Sequence, residues 1–461
     1  MFKKLKSINR LSTFVALFVF VSIVSAQNAV ISDQQITSMA DEYMAAAVAV
    51  DGFSGSVLVA RNGQPVVSKG YGMANVELGV PNTPQSVFRL GSITKQFTGM
   101  AITMLQERGK LSVSDPICKY LTHCPPAWQP LTVKHLLTHT SGIPNYTSFP
   151  EFGKTAVLPV SSPGMMSLLK DKPLEFAVGE KYAYSNSGYF LLGTIVERAS
   201  GKSYEAFLQE NIFTPLGMKH TGYDSPIRII KNRASGYARQ SGEMVNAAYM
   251  DMSIPYAAGS LYSTTGDLLI WDQALYTEKL GTRKSLDEMF TPLKGDTGYG
   301  YGWSMGKRFE RQTISHGGGI YGFATMITRF PADRITVIVL SNVQGGPAGK
   351  VAGDLAAIVF GGEYKIPKER KEIAVDAKIL EKYVGQYQIP PTIIISVMLE
   401  NGKLMGQLGG QGKFALLAET ETVFFSKDVG AQITFNKDAQ GLVTGLTLSQ
   451  GGGNTPAQKI K

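Results

Sequence analysis

The sequence predicts an α+β fold: an antiparallel sheet flanked by helices, with an all-helical region inserted between its strands, followed by a small all-β meander or barrel. Strand-like runs stand at both ends of residues 55–345 with helical patterns between them, and the remaining tail breaks into short alternating runs separated by turn residues. A chain of 461 residues accommodates about three domains of ~150 residues or one large domain plus a small module. Its composition, 44% hydrophobic and 18% charged, allows a sizeable core.

Residues 1–10 carry Lys3, Lys4, Lys6 and Arg10 without an acidic residue, and an apolar run follows over residues 14–24. A spanning helix needs ~20 apolar residues, so this shorter run, followed by the small residues Ser25 and Ala26, is expected to be a cleaved export signal over residues 1–26. The mature protein would start at Gln27, be periplasmic or secreted, and keep no membrane span. Loss of the signal removes four positive charges and lowers the formal net charge from +9 to +5. The remaining cations are scattered or gathered near residues 364–378, which argues against a nucleic-acid partner.

Residues 55–80 predict a β-hairpin, because SVLVA and PVVSKGYG flank Asn62-Gly63, a dipeptide that accepts positive φ in a tight turn. A helix is expected from Ser92, with Ile93, Phe97, Met100, Ala101, Met104 and Leu105 at helical spacing and Gly109 ending it. Between about 130 and 290 helical stretches such as FLLGTIVERASG and TTGDLLIWDQAL alternate with Gly/Pro-rich loops. Strand character returns with FATMITRF and ITVIVLSN, and a last helix is expected in VAGDLAAIVF. Cys118 and Cys124, six positions apart, would meet an oxidising compartment after export and can close a short loop; the alternative is two unlinked thiols. The predicted organisation is a main domain over 27–363, a linker over 364–375 rich in Lys and Arg beside Pro367, and a β-rich domain over 376–461. In that last domain seven alternating runs (VGQYQI, TIIISVMLE, KLMGQL, FALLA, TVFFS, AQITF, LVTGLTL) predict an up-and-down meander.

The segment Ser92-Ile93-Thr94-Lys95 places a hydroxyl and an amine one turn apart on one helix face, where a partly deprotonated amine can activate a weak nucleophile. Alone it also fits a capping serine with a surface lysine. Tyr184-Ser185-Asn186 precedes a helical pattern, and His316-Gly317-Gly318-Gly319 precedes strand-like sequence. A phenol can pass a proton to a leaving group, an amide can hold a carbonyl, and a glycine run lets a substrate approach the backbone closely. Taken singly, these also fit a buried tyrosine and a glycine turn.

Together, Ser92-x-x-Lys95, Tyr184-x-Asn186 and His316-Gly317-Gly318 resemble the three signature boxes of the serine β-lactamase and penicillin-binding superfamily. FRLGSITKQFTGMAI, LLTHTSGIPNY, YAYSNSGYFLLGTIVE and HGGGIYGF are similar to its class C β-lactamase, DD-peptidase and esterase group. The resemblance implies a β-lactamase/transpeptidase-like domain and acyl transfer without metal or cofactor. Ser92 would be the nucleophile, Lys95 and Tyr184 jointly the proton-transfer groups, and His316 the third-box residue. Asn186, Gly317, Gly318 and Gly319 would bind the substrate, with the N–H groups of Ser92 and Gly319 as oxyanion hole. Tyr146, after the turn at Gly142-Ile143-Pro144, is a candidate for the cleft wall or a surface loop aromatic. The C-terminal region is similar to a lipocalin-like appendage of the same superfamily. Implied substrates are β-lactams, D-amino-acid peptides or esters. The third box departs from the Lys-Thr-Gly usual in class C β-lactamases, and His316, if neutral, predicts weak cephalosporin hydrolysis. An acyl acceptor with little turnover and a binding module carried by the β-rich tail are the competing classes.

Other patterns do not carry chemistry as well. His135 and His139 stand at i, i+4 without an HExxH pattern or a clustered third ligand. Gly201-Lys202-Ser203 lacks the glycine a phosphate loop needs, since that position is Val196. No serine lies in a Gly-x-Ser-x-Gly frame.

Overall fold

The computed structural model describes residues 31–240, 242–292, 298–389, 393–409, 412–450 and 453–460; the expected export signal lies outside them. The chain opens on helix α1 (Asp33–Ala49), whose Ser32 and Gln35 form a reciprocal capping box. It runs into β1 (Gly55–Arg61) and β2 (Gln64–Tyr71), the expected hairpin. Asn62 and Gly63 both take positive φ, 53° and 74°, which matches the twist of the flanking strands. Then come helix α2 (Thr94–Glu107) and, after a stretch of short helices and loops, helix α3 (Asn186–Ser200). Three strands after residue 300, β3 (Ser304–Arg308), β4 (Arg311–Ile320) and β5 (Phe323–Phe330), lead to β6 (Ile335–Ser341) and helix α4 (Ala348–Phe360).

The six strands form one antiparallel sheet in the order β3-β4-β5-β6-β1-β2. The N-terminal β1 lies against the C-terminal β6, from Gly55 opposite Ser341 to Arg61 opposite Ile335. The two ends of the main domain therefore close one sheet around the helical region, the arrangement that strand runs at both ends predict. All seven residues of β6 are buried, because both faces of the sheet are covered. Val337 and Val339 pack with α1 and α4, while Ile338 and Leu340 point into the larger core around α2 and α3.

Residues 364–375 contain no helix or strand. Beyond the short helix Ala377–Glu381 stand β7 (Gly385–Ile389), β8 (Ile393–Glu400), β9 (Lys403–Leu408), β10 (Lys413–Ala418), β11 (Val423–Ser426), β12 (Ala431–Lys437), β13 (Val443–Gln450) and β14 (Gly453–Lys459). They close into a barrel, and its interior holds side chains such as Tyr383 stacked on Phe435 at 4.1 Å between ring centroids. Seven of these strands coincide with the alternating runs of the sequence. The closing strand β14, GNTPAQK, has no alternation and contains Pro456, so only its pairing with β13 and with β7 identifies it. Cys118 and Cys124 are joined by a disulfide.

Candidate active site

The site forms where the start of α2 meets the free edge of β4. Strand β3 pairs with β4 only as far as Ser315, so among the described residues no strand covers the outer edge of His316–Ile320. A tight turn over Gly91–Ile93 carries Ser92 to this edge, and Gly91 adopts φ +55° there, a conformation glycine takes without penalty. The contact is close: a Cβ on Gly318 would stand 2.0 Å from the Leu90 carbonyl oxygen and 2.2 Å from Thr325 Oγ1. Gly317 and Gly319 are different. A Cβ on Gly317 would meet Met326 Sδ at an ordinary 3.5 Å, and one on Gly319 would meet nothing within 4 Å.

Lys95, fully buried on the first turn of α2, brings its Nζ to 3.0 Å from Ser92 Oγ, 2.8 Å from Asn186 Oδ1 and 2.9 Å from the Ala258 carbonyl. Burial pushes its pKa well below the usual lysine range, and no carboxylate among the described residues pulls it back. A neutral amine has two N–H donors and one lone pair. Donation to Asn186 and Ala258 leaves the lone pair for the Ser92 hydroxyl proton, so all three contacts are satisfied without a charge.

Tyr184 hydrogen-bonds Ser92, and the Lys95 amine stands 4.8 Å from the centre of its ring. Burial raises the Tyr184 pKa, so the phenol is held protonated; the phenolate that nearby cations could favour is not what this environment stabilises. Asn186 opens α3, its N–H held by Asn145 Oδ1 at 3.1 Å and its Nδ2 donating to Thr147 Oγ1 at 3.2 Å.

His316 sits behind this group. Its Nε2 is 2.8 Å from the Tyr299 hydroxyl and its Nδ1 is 2.6 Å from the Gly317 carbonyl, which fits an Nδ1–H tautomer accepting the tyrosine proton at Nε2. Burial lowers its pKa to about 4. The imidazole is therefore neutral and does not supply the cation of a Lys-Thr-Gly box.

Ser92, Asn186, Gly319 and Tyr146 line one cavity of about 340 Å³ whose other walls include Thr147, Phe152, Ile254 and Tyr321. None of its lining residues, among those described, is Lys, Arg or His. Tyr146 is buried in the wall, its hydroxyl donating to the Ile254 carbonyl at 2.8 Å, and is no surface loop aromatic.

The sequence reading passes over two residues that the fold places here. His139, considered there only as half of a metal pair, has positive φ (56°), accepts the Ser185 N–H on Nδ1 at 3.1 Å, and packs its ring 4.4 Å from that of Tyr184. Tyr299 packs against His139 at 4.7 Å and holds His316. His139 lies in the LLTHTSG stretch and Tyr299 in the glycine-rich GYGYGW, and neither residue has a spacing that marks its contact with Tyr184. His135 instead caps its own short helix through Thr132.

Comparison with known proteins follows the same division. The family described as Beta-lactamase matches residues 36–359, and a domain of unknown function, DUF3471, matches residues 369–458. Penicillin-binding protein 4* of Bacillus subtilis is 32% identical over 410 residues, covering 83% of this chain and 90% of that protein. Teichoic acid D-alanine hydrolase of Staphylococcus aureus is 30% identical over 301 residues, covering 64% and 71%. The octameric penicillin-binding protein homologue from Pyrococcus abyssi superposes with a TM-score of 0.64 at 28% identity, over 91% of this chain and 99% of that one.

Proposed function

The chain belongs to the β-lactamase family of serine hydrolases, and from that premise we propose that it is exported and cleaves amide or ester bonds through an acyl-enzyme on Ser92. The observation that carries this is the buried Lys95 amine, uncompensated by a carboxylate, 3.0 Å from Ser92 Oγ. Lys95 takes the hydroxyl proton as Oγ bonds to the substrate carbonyl carbon. The N–H groups of Ser92 and Gly319 hold the oxyanion, each such donor worth ~3 kcal/mol in the transition state. As the bond to the leaving nitrogen or oxygen breaks, its electron pair goes to that atom, which takes the Tyr184 proton; the ammonium on Lys95 then restores the phenol. Water repeats the cycle on the acyl-enzyme. Asn186, with its Oδ1 on Lys95 and its Nδ2 toward the cavity wall, couples the base to the bound carbonyl, while His316 and Gly317–Gly319 shape the strand edge.

The substrate classes supported are D-amino-acid esters and amides, since one relative is named a teichoic acid D-alanine hydrolase. A cavity without a cationic side chain gives a β-lactam carboxylate no partner, so cephalosporin hydrolysis is expected to be weak. The names penicillin-binding protein 4* and penicillin-binding protein homologue favour a second reading, an acyl acceptor with slow deacylation. Short acyl esters, D-Ala-D-Ala peptides and a chromogenic cephalosporin, assayed with wild type and Ser92→Ala beside fluorophosphonate labelling, test both. Turnover and labelling that vanish in Ser92→Ala support the hydrolase; a wild-type label that persists for hours supports the acceptor; unchanged turnover in Ser92→Ala rejects both.

A further inference from the structure

A second cavity of about 260 Å³ opens beside the first and shares Tyr146, Phe152 and Ile254 with it. Its remaining walls are chiefly apolar, with Phe149 and Leu158 from the loops and Met165 and Leu168 from the helix Ser162–Leu169. Glu151 is the charged residue in its lining. Building on the acyl-enzyme reading above, we propose that this cavity receives the acyl side of the substrate and selects an extended apolar acyl group.

Position and chemistry both support this. The two cavities meet at Tyr146, the neighbour of Thr147, to which Asn186 Nδ2 donates at 3.2 Å, whereas Gly319, Ile320 and Tyr321 of the strand edge line the first cavity and not the second. A carbonyl held between Asn186 and the oxyanion donors directs its substituent past Tyr146. That residue is a fixed partition: its N–H donates to Ser187 Oγ at 3.0 Å and its hydroxyl to the Ile254 carbonyl at 2.8 Å. An apolar chain passing it displaces water from walls that offer little hydrogen bonding, and full burial is worth up to about fourfold in affinity per methylene. The Glu151 carboxylate disfavours an anionic acyl group in the same place. Together the two cavities fall within the ~300–1,000 Å³ typical of sites that enclose a drug-sized ligand.

The test is the acyl-chain series p-nitrophenyl acetate, butyrate and octanoate, in which the leaving group is constant. Wild type is expected to gain at least tenfold in kcat/KM from acetate to octanoate. Leu168→Trp, which fills the cavity, and Leu158→Lys, at a position 59% exposed and so safe for folding, are expected to remove most of that gain while acetate turnover stays within about twofold. A flat series in wild type, or a gain that survives both substitutions, overturns the proposal. Fluorophosphonate labelling of Ser92 separates the two failures: a labelled enzyme with a flat series keeps the acyl-enzyme and loses the apolar subsite, whereas absence of labelling removes the acyl-enzyme itself.

Discussion

At the scale of single residues, two buried groups are held in their neutral forms for the same physical reason, and each gives a measurable consequence. Burial keeps the Tyr184 phenol protonated, so in the proposed acyl transfer it serves leaving groups that need a proton. Tyr184→Phe is expected to slow amide or alkyl-ester turnover by about 10²-fold, and p-nitrophenyl ester turnover much less, because p-nitrophenolate departs unaided; parallel kcat measurements on the two substrate types check this. His316 titrates near 4 in the fold and near 6.5 when exposed. Between those values the unfolded chain binds the proton and the native one does not, so this contribution to stability is full above about pH 6.5 and is lost as pH falls toward 4, up to ~3 kcal/mol. Urea midpoints across that range, with a shallower slope in His316→Gln, provide the measurement. Ser-x-x-Lys sets two side chains on one face of one helix, so spacing alone marks Ser92 and Lys95 as candidates, while Tyr184 and Asn186 are marked by their resemblance to the second signature box. It does not show that His316 is turned inward, because the direction of a side chain from a strand depends on what covers each face of the sheet.

At the scale of elements, the meeting of the Ser92 turn with β4 makes neighbouring glycines unequal. Gly318→Ala would force the strand off the Leu90 carbonyl, displacing the Gly319 N–H by a distance at which catalytic geometry commonly loses about 10²-fold. Gly317→Ala, with its nearest new contact at 3.5 Å, is expected to stay within a few fold of wild type. Labelling rates of Ser92 in the two variants decide the matter. A second element-level contact is the ion pair between Arg329 of β5 and Asp272 of the helix Thr265–Ala274, both almost fully buried, with Thr336 Oγ1 donating to the same carboxylate at 2.8 Å. Asp272→Ala would leave the guanidinium buried and unpaired, at a cost of about 3–5 kcal/mol, read as a lower midpoint in chemical denaturation. Neither feature is visible in the sequence: the three glycines read alike, and Asp272 and Arg329 lie 57 positions apart.

At the scale of the whole molecule, an exposed stretch joins the barrel to the main domain, and polar contacts tie the barrel both to that domain and to the stretch itself. Asp428 on the β11–β12 turn accepts the Gly242 N–H at 2.6 Å, while the Ile373 N–H donates to the Ala418 carbonyl of β10 at 2.9 Å. Lys368, Arg370 and Lys371 are exposed between the two regions. Limited trypsin treatment is expected to cut there first and to release the main domain and the barrel as two resistant fragments; early cleavage spread through both regions would contradict this. The sequence by itself determined the parts: the hairpin at Asn62-Gly63, the helix carrying Ser92 and Lys95, seven alternating barrel strands and the three motif boxes, all encoded in residues near one another along the chain. Only the tertiary structure decided how the parts act. It closed the barrel with a strand of no alternation, buried Lys95 so that its pKa falls well below the usual lysine range, gathered His139, Tyr299 and His316 behind Tyr184, and opened an apolar cavity next to the one that Ser92 lines. These depend on contacts between distant segments, and burial, which sets both protonation state and pocket shape, exists only once those segments have met.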